Sequence, residues 1–324
     1  MTDPVSNPVY AVAWLPEVWF WLLFGILTIY VVLDGFDFGV GLIYGTRESE
    51  RERETLHAAF GPIWKANEVW FVLFVTVLFA AFPSVYANLL SRHYLLIFLL
   101  LLGLILRGVG VKLRKERDDQ RWKRYCDHAF VTGSVLSPLV LGAFVVQWVF
   151  PDVSFPVALV GGVTLLGLCL VLGATFLAIK TRDSLRAEMV TYTTKATPAY
   201  VVCFAGTGGV LYAVGSAALE VVALAAVATV VCSLGVVGGA RLESYALAFG
   251  SAAGVAVSFV GLLAVHLFPM IDPAAGLAIG DAIVAPATLH VTTIMAAIFL
   301  PIVGLGFVML YSIFEGVADP QDGY

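Results

Sequence analysis

Long apolar runs follow one another through this chain, each about the length of a bilayer crossing, with charged residues gathered in the gaps between them. Roughly 20 apolar residues cross the hydrocarbon core as a helix. On that rule nine spans are predicted, at about 17–44, 58–83, 92–112, 127–150, 156–179, 197–218, 220–239, 244–268 and 289–314. The faintest boundary lies between the sixth and seventh, where only Glu220 and its neighbours mark a turn. Fusing those two spans would leave eight.

The basic residues argue for nine. Arg47, Arg51 and Arg53 lie in the first gap; Lys112, Arg114, Lys115, Arg117, Arg121, Lys123 and Arg124 lie in the third. Lys180, Arg182, Arg186 and Lys195 precede the sixth span, and Arg241 follows the seventh. Lys and Arg concentrate in cytoplasmic loops. Nine spans put all of these on one face, with the N-terminus outside and the C-terminus cytoplasmic. The expected fold is therefore an all-α integral-membrane bundle of nine helices, a single membrane domain over 1–324. Its polar-cluster helices occupy about 17–112 and its mostly apolar packing helices about 127–314. The longest connection, about 269–288, is expected to be a modest outer loop carrying Asp272, Asp281 and Pro286.

Composition agrees. Hydrophobic residues make up 60% of the 324 and charged residues 13%, with a mean hydropathy of +0.94; soluble domains run about half apolar and about a quarter charged. The net charge of -5 excludes the basic face that nucleic acid requires. The first sixteen residues lack Lys and Arg, so no signal-peptide n-region is present and the first span is expected to be a retained anchor. Small residues recur at helix-packing intervals, as at Gly35/Gly39, Gly41/Gly45, Gly235/Gly239 and Gly250/Gly254.

A few ionisable residues fall inside the spans: Asp34 and Asp37 in the first, Lys65 and Glu68 in the second, Arg107 in the third. A charge at that depth is costly, so it pairs, lines a hydrated cavity or serves an ion path. All five lie in the inner half of the membrane, close enough in depth to meet. They read either as a structural ion-pair network or as a proton path from the cytoplasm. Trp64 and Trp70 flank them and are candidates to face a cofactor or partner; Asn67 between them suits a hydrogen-bonding bridge. Metal ligands are scarce. Cys126, Cys169, Cys203 and Cys232 lack zinc spacing. His57 and His93 fall at span edges and are expected to be solvated. Only His266 and His290 fall level enough to suggest bis-His haem ligation, and two interfacial histidines are the simpler reading.

These segments resemble subunit II of the cytochrome bd family of quinol oxidases. The likeness rests on Asp34-Gly-Phe-Asp-x-Gly-Val-Gly41, on Gly61-Pro-x-Trp-x-x-Asn-Glu-Val-Trp70 followed by Phe79-Ala-Ala-Phe-Pro83, and on Arg107-Gly-Val-Gly. Order and spacing agree over about 30–115; the remainder agrees in length, hydropathy and span count. The resemblance implies a plasma-membrane heterodimer with a homologous subunit I, which carries the quinol site and the haems, of types b and d. Quinol is oxidised and O2 reduced to water with protons drawn from the cytoplasm. Subunit II is the non-catalytic partner, with no haem or metal of its own, in contact with lipid and implicated in proton delivery. A structural quinone and a small accessory subunit belong to the same expectation.

One departure stands out. Many family members have Asp where this chain has Lys65, and that Asp is a favoured proton-path residue. Either Glu68 takes over the relay, or the path is lost and the network is structural. The rival class is a permease with an intramembrane acidic site, which the uneven placement of charge disfavours: transport sites sit near the midplane between repeats.

Overall fold

The computed structural model describes residues 12–213, 218–314 and 316–317. Nine helices among them are long and apolar enough to cross a membrane. In chain order the helices are α1 (Leu15–Tyr44), α2 (Glu50–Phe60), α3 (Trp64–Ala81), α4 (Pro83–Arg92), α5 (Tyr94–Leu113), α6 (Gln120–Val149), α7 (Phe155–Lys180), α8 (Asp183–Ala213), α9 (Leu219–Arg241) and α10 (Tyr245–Leu267). A two-stranded antiparallel ribbon, β1 (Met270–Asp272) and β2 (Leu277–Ala278), precedes a single helical turn, α11 (Ile279–Ala282), and the last long helix, α12 (Pro286–Ile313). Glu220, expected to mark the turn between the sixth and seventh spans, lies instead in the first turn of α9, and 214–217 fall outside the described residues.

The limits of several spans differ from the hydropathy reading, and local chemistry explains why. The second span begins at Trp64 rather than near 58, because Gly61-Pro62 separates a short polar helix, α2, from α3; proline lacks the N–H and clashes with the preceding turn. It ends at Ala81, and Pro83 opens α4 from its first turn, a position proline tolerates. In the other direction, α6 starts at Gln120, its first turn capped by Asp119, which accepts from the Trp122 amide at 3.1 Å. The sixth span also starts early, at Asp183 instead of 197. Its polar first turns are held at the basic end by Arg47, whose two terminal nitrogens each donate to Glu188 at 2.6 Å. Hydropathy cannot see a helix that continues as a polar one.

α1 is the centre of the bundle and packs on α3, α6, α7 and α10. Its crossing with α7 is close enough that a Cβ on Gly39 would stand 2.8 Å from the Cα of Gly173. Only glycine permits that approach, and van der Waals contact of this kind holds helices together in lipid. α12 is the opposite case, with Leu289 its only buried residue among those described. Polar contacts tether it: Trp19 Nε1 donates to Thr293 at 3.0 Å, Tyr311 donates to Asn67 at 2.8 Å, and Lys180 donates to the Phe314 carbonyl at 2.6 Å. At the end away from the basic loops, buried Asp272 accepts from Asn88 at 2.9 Å and pairs with Arg92 at 3.1 Å. Trp148 donates to the Ile271 carbonyl at 2.8 Å. The 269–288 connection is thereby fastened to α4 and α6.

Candidate functional site

Four of the five intramembrane ionisable residues meet, and one does not. The Gly-rich stretch of α1 lets neighbouring helices close in around Asp34 and Asp37, both wholly buried. Arg107 arrives from α5, whose backbone lies against α6: a Cβ on Gly133 would stand 2.5 Å from the Arg107 amide nitrogen. Its guanidinium sits 4.3 Å above the ring of Phe38, a cation–π contact that suits a cation out of water. Arg107 Nη2 lies 2.6 Å from Asp34 Oδ1 and 2.5 Å from Glu68 Oε1. The Glu68 contact is a hydrogen bond, whereas the Asp34 contact is a charge contact without hydrogen-bond alignment.

Asn67 bridges three helices. Its amide nitrogen donates to Asp37 Oδ2 at 2.9 Å and to the Leu33 carbonyl at 3.3 Å, and its oxygen accepts from Tyr311. What is left over matters as much. Both oxygens of Asp34, Oδ1 of Asp37, the hydroxyl of Tyr30, and Nε and Nη1 of Arg107 are buried without a hydrogen-bond partner among the described residues. Two carboxylates, Asp34 and Glu68, therefore share one guanidinium, and the third, Asp37, is held by Asn67. Buried polar groups are ordinarily satisfied, and this cluster departs from that rule at several atoms.

Lys65 is the exception and corrects the expectation of an intramembrane lysine. It is an exposed residue in the first turn of α3, 5.7 Å from the Trp64 ring. Because α3 starts at 64, Glu68 lies only about 6 Å along the helix from its beginning, and Lys65 falls at the rim. Trp64 packs near Gly108 of α5. Trp70 stacks obliquely on Phe307 of α12 with ring centroids 5.2 Å apart; both rings are used within the chain.

Glu68 is the one acid of the cluster with an outlet. Its side chain is 30% exposed and it borders a cavity of about 570 Å³ between α3, α4 and α5, also lined by Tyr30, Phe71, Leu100 and Phe144. The lining is almost wholly apolar apart from Tyr30, Glu68, Thr76 and Tyr86.

A second ionic cluster, at the basic end, escaped the sequence reading. Asp127 of α6 accepts from the Tyr44 hydroxyl, from Arg114 Nε at 2.7 Å and from Arg53 Nη1 at 3.1 Å. Arg114 also reaches Glu50 at 2.7 Å. His57 stands beside it among the rings of Tyr44, Phe60 and Phe130, with Nε2 buried and unpartnered. Burial, reinforced by the charge of Arg114, pushes its imidazole down to about 3, against the opposing pull of Asp127. His93, packed on Phe144, is lowered by burial and by Arg92. Neither is the solvated histidine expected from its place at a span edge. Among the described residues no group of three or more His, Cys, Asp or Glu is arranged to hold a metal ion, and His266 lies against the Phe150 ring at 4.5 Å.

The comparisons with known proteins converge. Residues 15–314 match the family model described as cytochrome bd terminal oxidase subunit II. The chain is 29% identical over 327 residues to cytochrome bd ubiquinol oxidase subunit 2 of Bacillus subtilis, covering 93% of this chain and 96% of that one. It is 34% identical over 213 residues to cytochrome bd-I ubiquinol oxidase subunit 2 of Escherichia coli, covering 59% of this chain and 55% of that one. The fold matches a chain of the bd oxidase from Geobacillus thermodenitrificans with a TM-score of 0.79, over 93% of this chain and 98% of that one, at 14% identity. The nine membrane-crossing helices, the three ordered motifs and the full-length family match lead to one conclusion: this chain belongs to the cytochrome bd terminal oxidase subunit II family.

Proposed function

We propose that the Asp34–Asp37–Glu68–Arg107 cluster takes up protons from the cytoplasm and passes them toward the oxygen-reducing centre of a haem-bearing partner subunit. The family gives this chain its place as subunit II of a quinol:oxygen oxidoreductase, a multi-pass protein of the plasma membrane whose partner is subunit I. Nothing in the comparisons supports a permease. On this reading subunit I carries the b- and d-type haems, which supply the electron chemistry, and this chain contributes no ligand to them.

The observation that carries the proposal is the excess of carboxylates over cations, three to one, with three carboxylate oxygens of Asp34 and Asp37 lacking an aligned hydrogen bond and only one of these, Oδ1 of Asp34, in ionic contact with Arg107. A site with more acids than bases can bind a proton and release it without ever building a buried positive charge, whose desolvation would be prohibitive. Orientation follows the positive-inside rule, which sets the basic end in the cytoplasm. Glu68 then lies nearest that face and Asp34 about 15 Å along α1 from its end. A partly exposed carboxylate at such depth is also incompatible with bare lipid, which supports a docking face for subunit I on α3 and α5 at the level of Glu68.

The test is Glu68→Gln in the purified complex. Quinol-driven O2 uptake is expected to slow by about tenfold or more, with the reduced-minus-oxidised haem spectrum unchanged. Wild-type turnover would leave the cluster a structural ion-pair network. The apolar cavity beside Glu68 and Tyr30 supports a second role, retention of a structural quinone. About one quinone surviving detergent washing per complex, and lost in Leu100→Trp, would bear that out; equal retention in the variant would refute it.

A further inference from the structure

A separate cavity of about 490 Å³ opens at the basic end, where α2, α3, α5 and α12 come together. Lys65, Lys112 and Lys115 stand around it, with Glu116 the one acid in its lining. Other basic residues of this end are engaged: Arg47 with Glu188, Arg53 and Arg114 with Asp127, Lys123 at 4.0 Å from Glu50. Among the described residues none of the three lysines pairs with a carboxylate within 4.0 Å. Three cations thus converge on one hollow with a single nearby acid.

The rest of the lining is of two kinds. His57, whose buried Nε2 lacks a partner, contributes a further polar group. The uncapped first turn of α3 also borders the cavity, and the positive end of a helix dipole adds to the attraction for an anion. Trp64, Val111, Leu310 and Phe314 supply apolar and aromatic surface. Exposed apolar side chains continue along the same two helices, Val109 on α5 and Leu305 and Val308 on α12.

We propose that this cavity binds the phosphate-bearing headgroup of an anionic phospholipid, with the acyl chains lying along the exposed faces of α5 and α12. Basic pockets between membrane helices on the cytoplasmic side suit such headgroups. The aromatic and apolar half of the cavity matches a ligand that is charged at one end and oily at the other. A free phosphate would use only the cationic half. Lys65, which lies apart from the buried acids, acquires a role here: it completes the cationic ring. The occupant would also seal the gap beside α12, a helix with almost no buried surface of its own.

The proposal is tested on the intact two-subunit complex, delipidated in detergent and titrated with phosphatidylglycerol, phosphatidylcholine or inorganic phosphate. The readouts are thermal midpoint and lipid retained in native mass spectra. Phosphatidylglycerol is expected to raise the midpoint and remain bound, and the other two are not. The triple variant Lys65→Gln/Lys112→Gln/Lys115→Gln is expected to bind phosphatidylglycerol roughly tenfold or more weakly. Lys123→Gln, outside the cavity, is expected to behave as wild type and controls for loss of positive charge alone. Equal responses to the two lipids, or undiminished binding by the triple variant, would overturn the proposal. A response to inorganic phosphate matching that to phosphatidylglycerol would keep an anion site but overturn its assignment to lipid.

Discussion

The two ionic clusters of this chain use the same residue types to opposite ends. Around Asp127, one carboxylate takes a hydroxyl and two guanidinium groups, and neither of its oxygens lacks a donor. Around Arg107, one guanidinium pairs with two carboxylates while a third, Asp37, lies in the same cluster, and several polar atoms of Asp34, Asp37 and Arg107 itself make no hydrogen bond among the described residues. The first arrangement is saturated and sits at the mouth of the bundle; the second is unsaturated and sits deeper. A guanidinium cannot give up its proton, whereas a carboxylate can take one. A cluster rich in arginine therefore has fixed charge and serves as a clamp. One rich in acids has adjustable charge and can do proton work.

That contrast predicts which cluster tolerates damage. Asp127→Ala removes the acceptor shared by Tyr44, Arg53 and Arg114 and leaves Arg114 only the half-exposed Glu50, and is expected to cost about 3 kcal/mol, seen as a large fall in the unfolding midpoint or failure to assemble. Arg107→Gln leaves acids that can protonate in compensation, so its cost is expected to be smaller, about 2 kcal/mol. Equal losses in the two variants would break the comparison.

A pH dependence separates the clusters further. His57 is held neutral beside Asp127, pushed down by burial to about 3 from the ordinary imidazole value of 6.5. Its neutral burial is fully favourable above 6.5. As pH falls from there toward 3 the unfolded chain binds the proton and the folded chain does not, so stability drops by up to about 1.4 kcal/mol per pH unit. His57→Phe is expected to flatten that acid limb; an unchanged slope would place the acid sensitivity elsewhere. Glu68→Gln completes the series. Its effect on stability is expected to be the smallest, below about 1 kcal/mol for a partly exposed pair, while its O2 uptake is expected to fall with the complex fully assembled.

Much of this could be read along the chain. Nine spans, and the concentration of intramembrane charge in the first three of them, follow from hydropathy and from the cost of charge in lipid. The motif residues Asp34, Asp37, Asn67, Glu68 and Arg107 were identifiable for the same reason: polar groups stand out against apolar neighbours. Tyr311 was not, because it reaches Asn67 from 244 residues away and a tyrosine near a helix end is unremarked by any local rule. Asp127 stands at the predicted start of the fourth span, whereas α6 begins seven residues earlier, at Gln120, and carries it inside the helix.

Lys65 shows the boundary most clearly. By sequence it shares the Glu68 motif and counts as intramembrane; in three dimensions Gly61-Pro62 delays the start of α3, leaving Glu68 inward and Lys65 at the rim. The sequence alone determined how many times the chain crosses and which residues are too polar to face lipid, since both depend on transfer from water to hydrocarbon, residue by residue. Only the tertiary structure decided which of those residues touch, which remain unsatisfied and which open to a cavity. Those depend on where each helix begins, how it is rotated, and what a neighbour distant in the chain brings alongside.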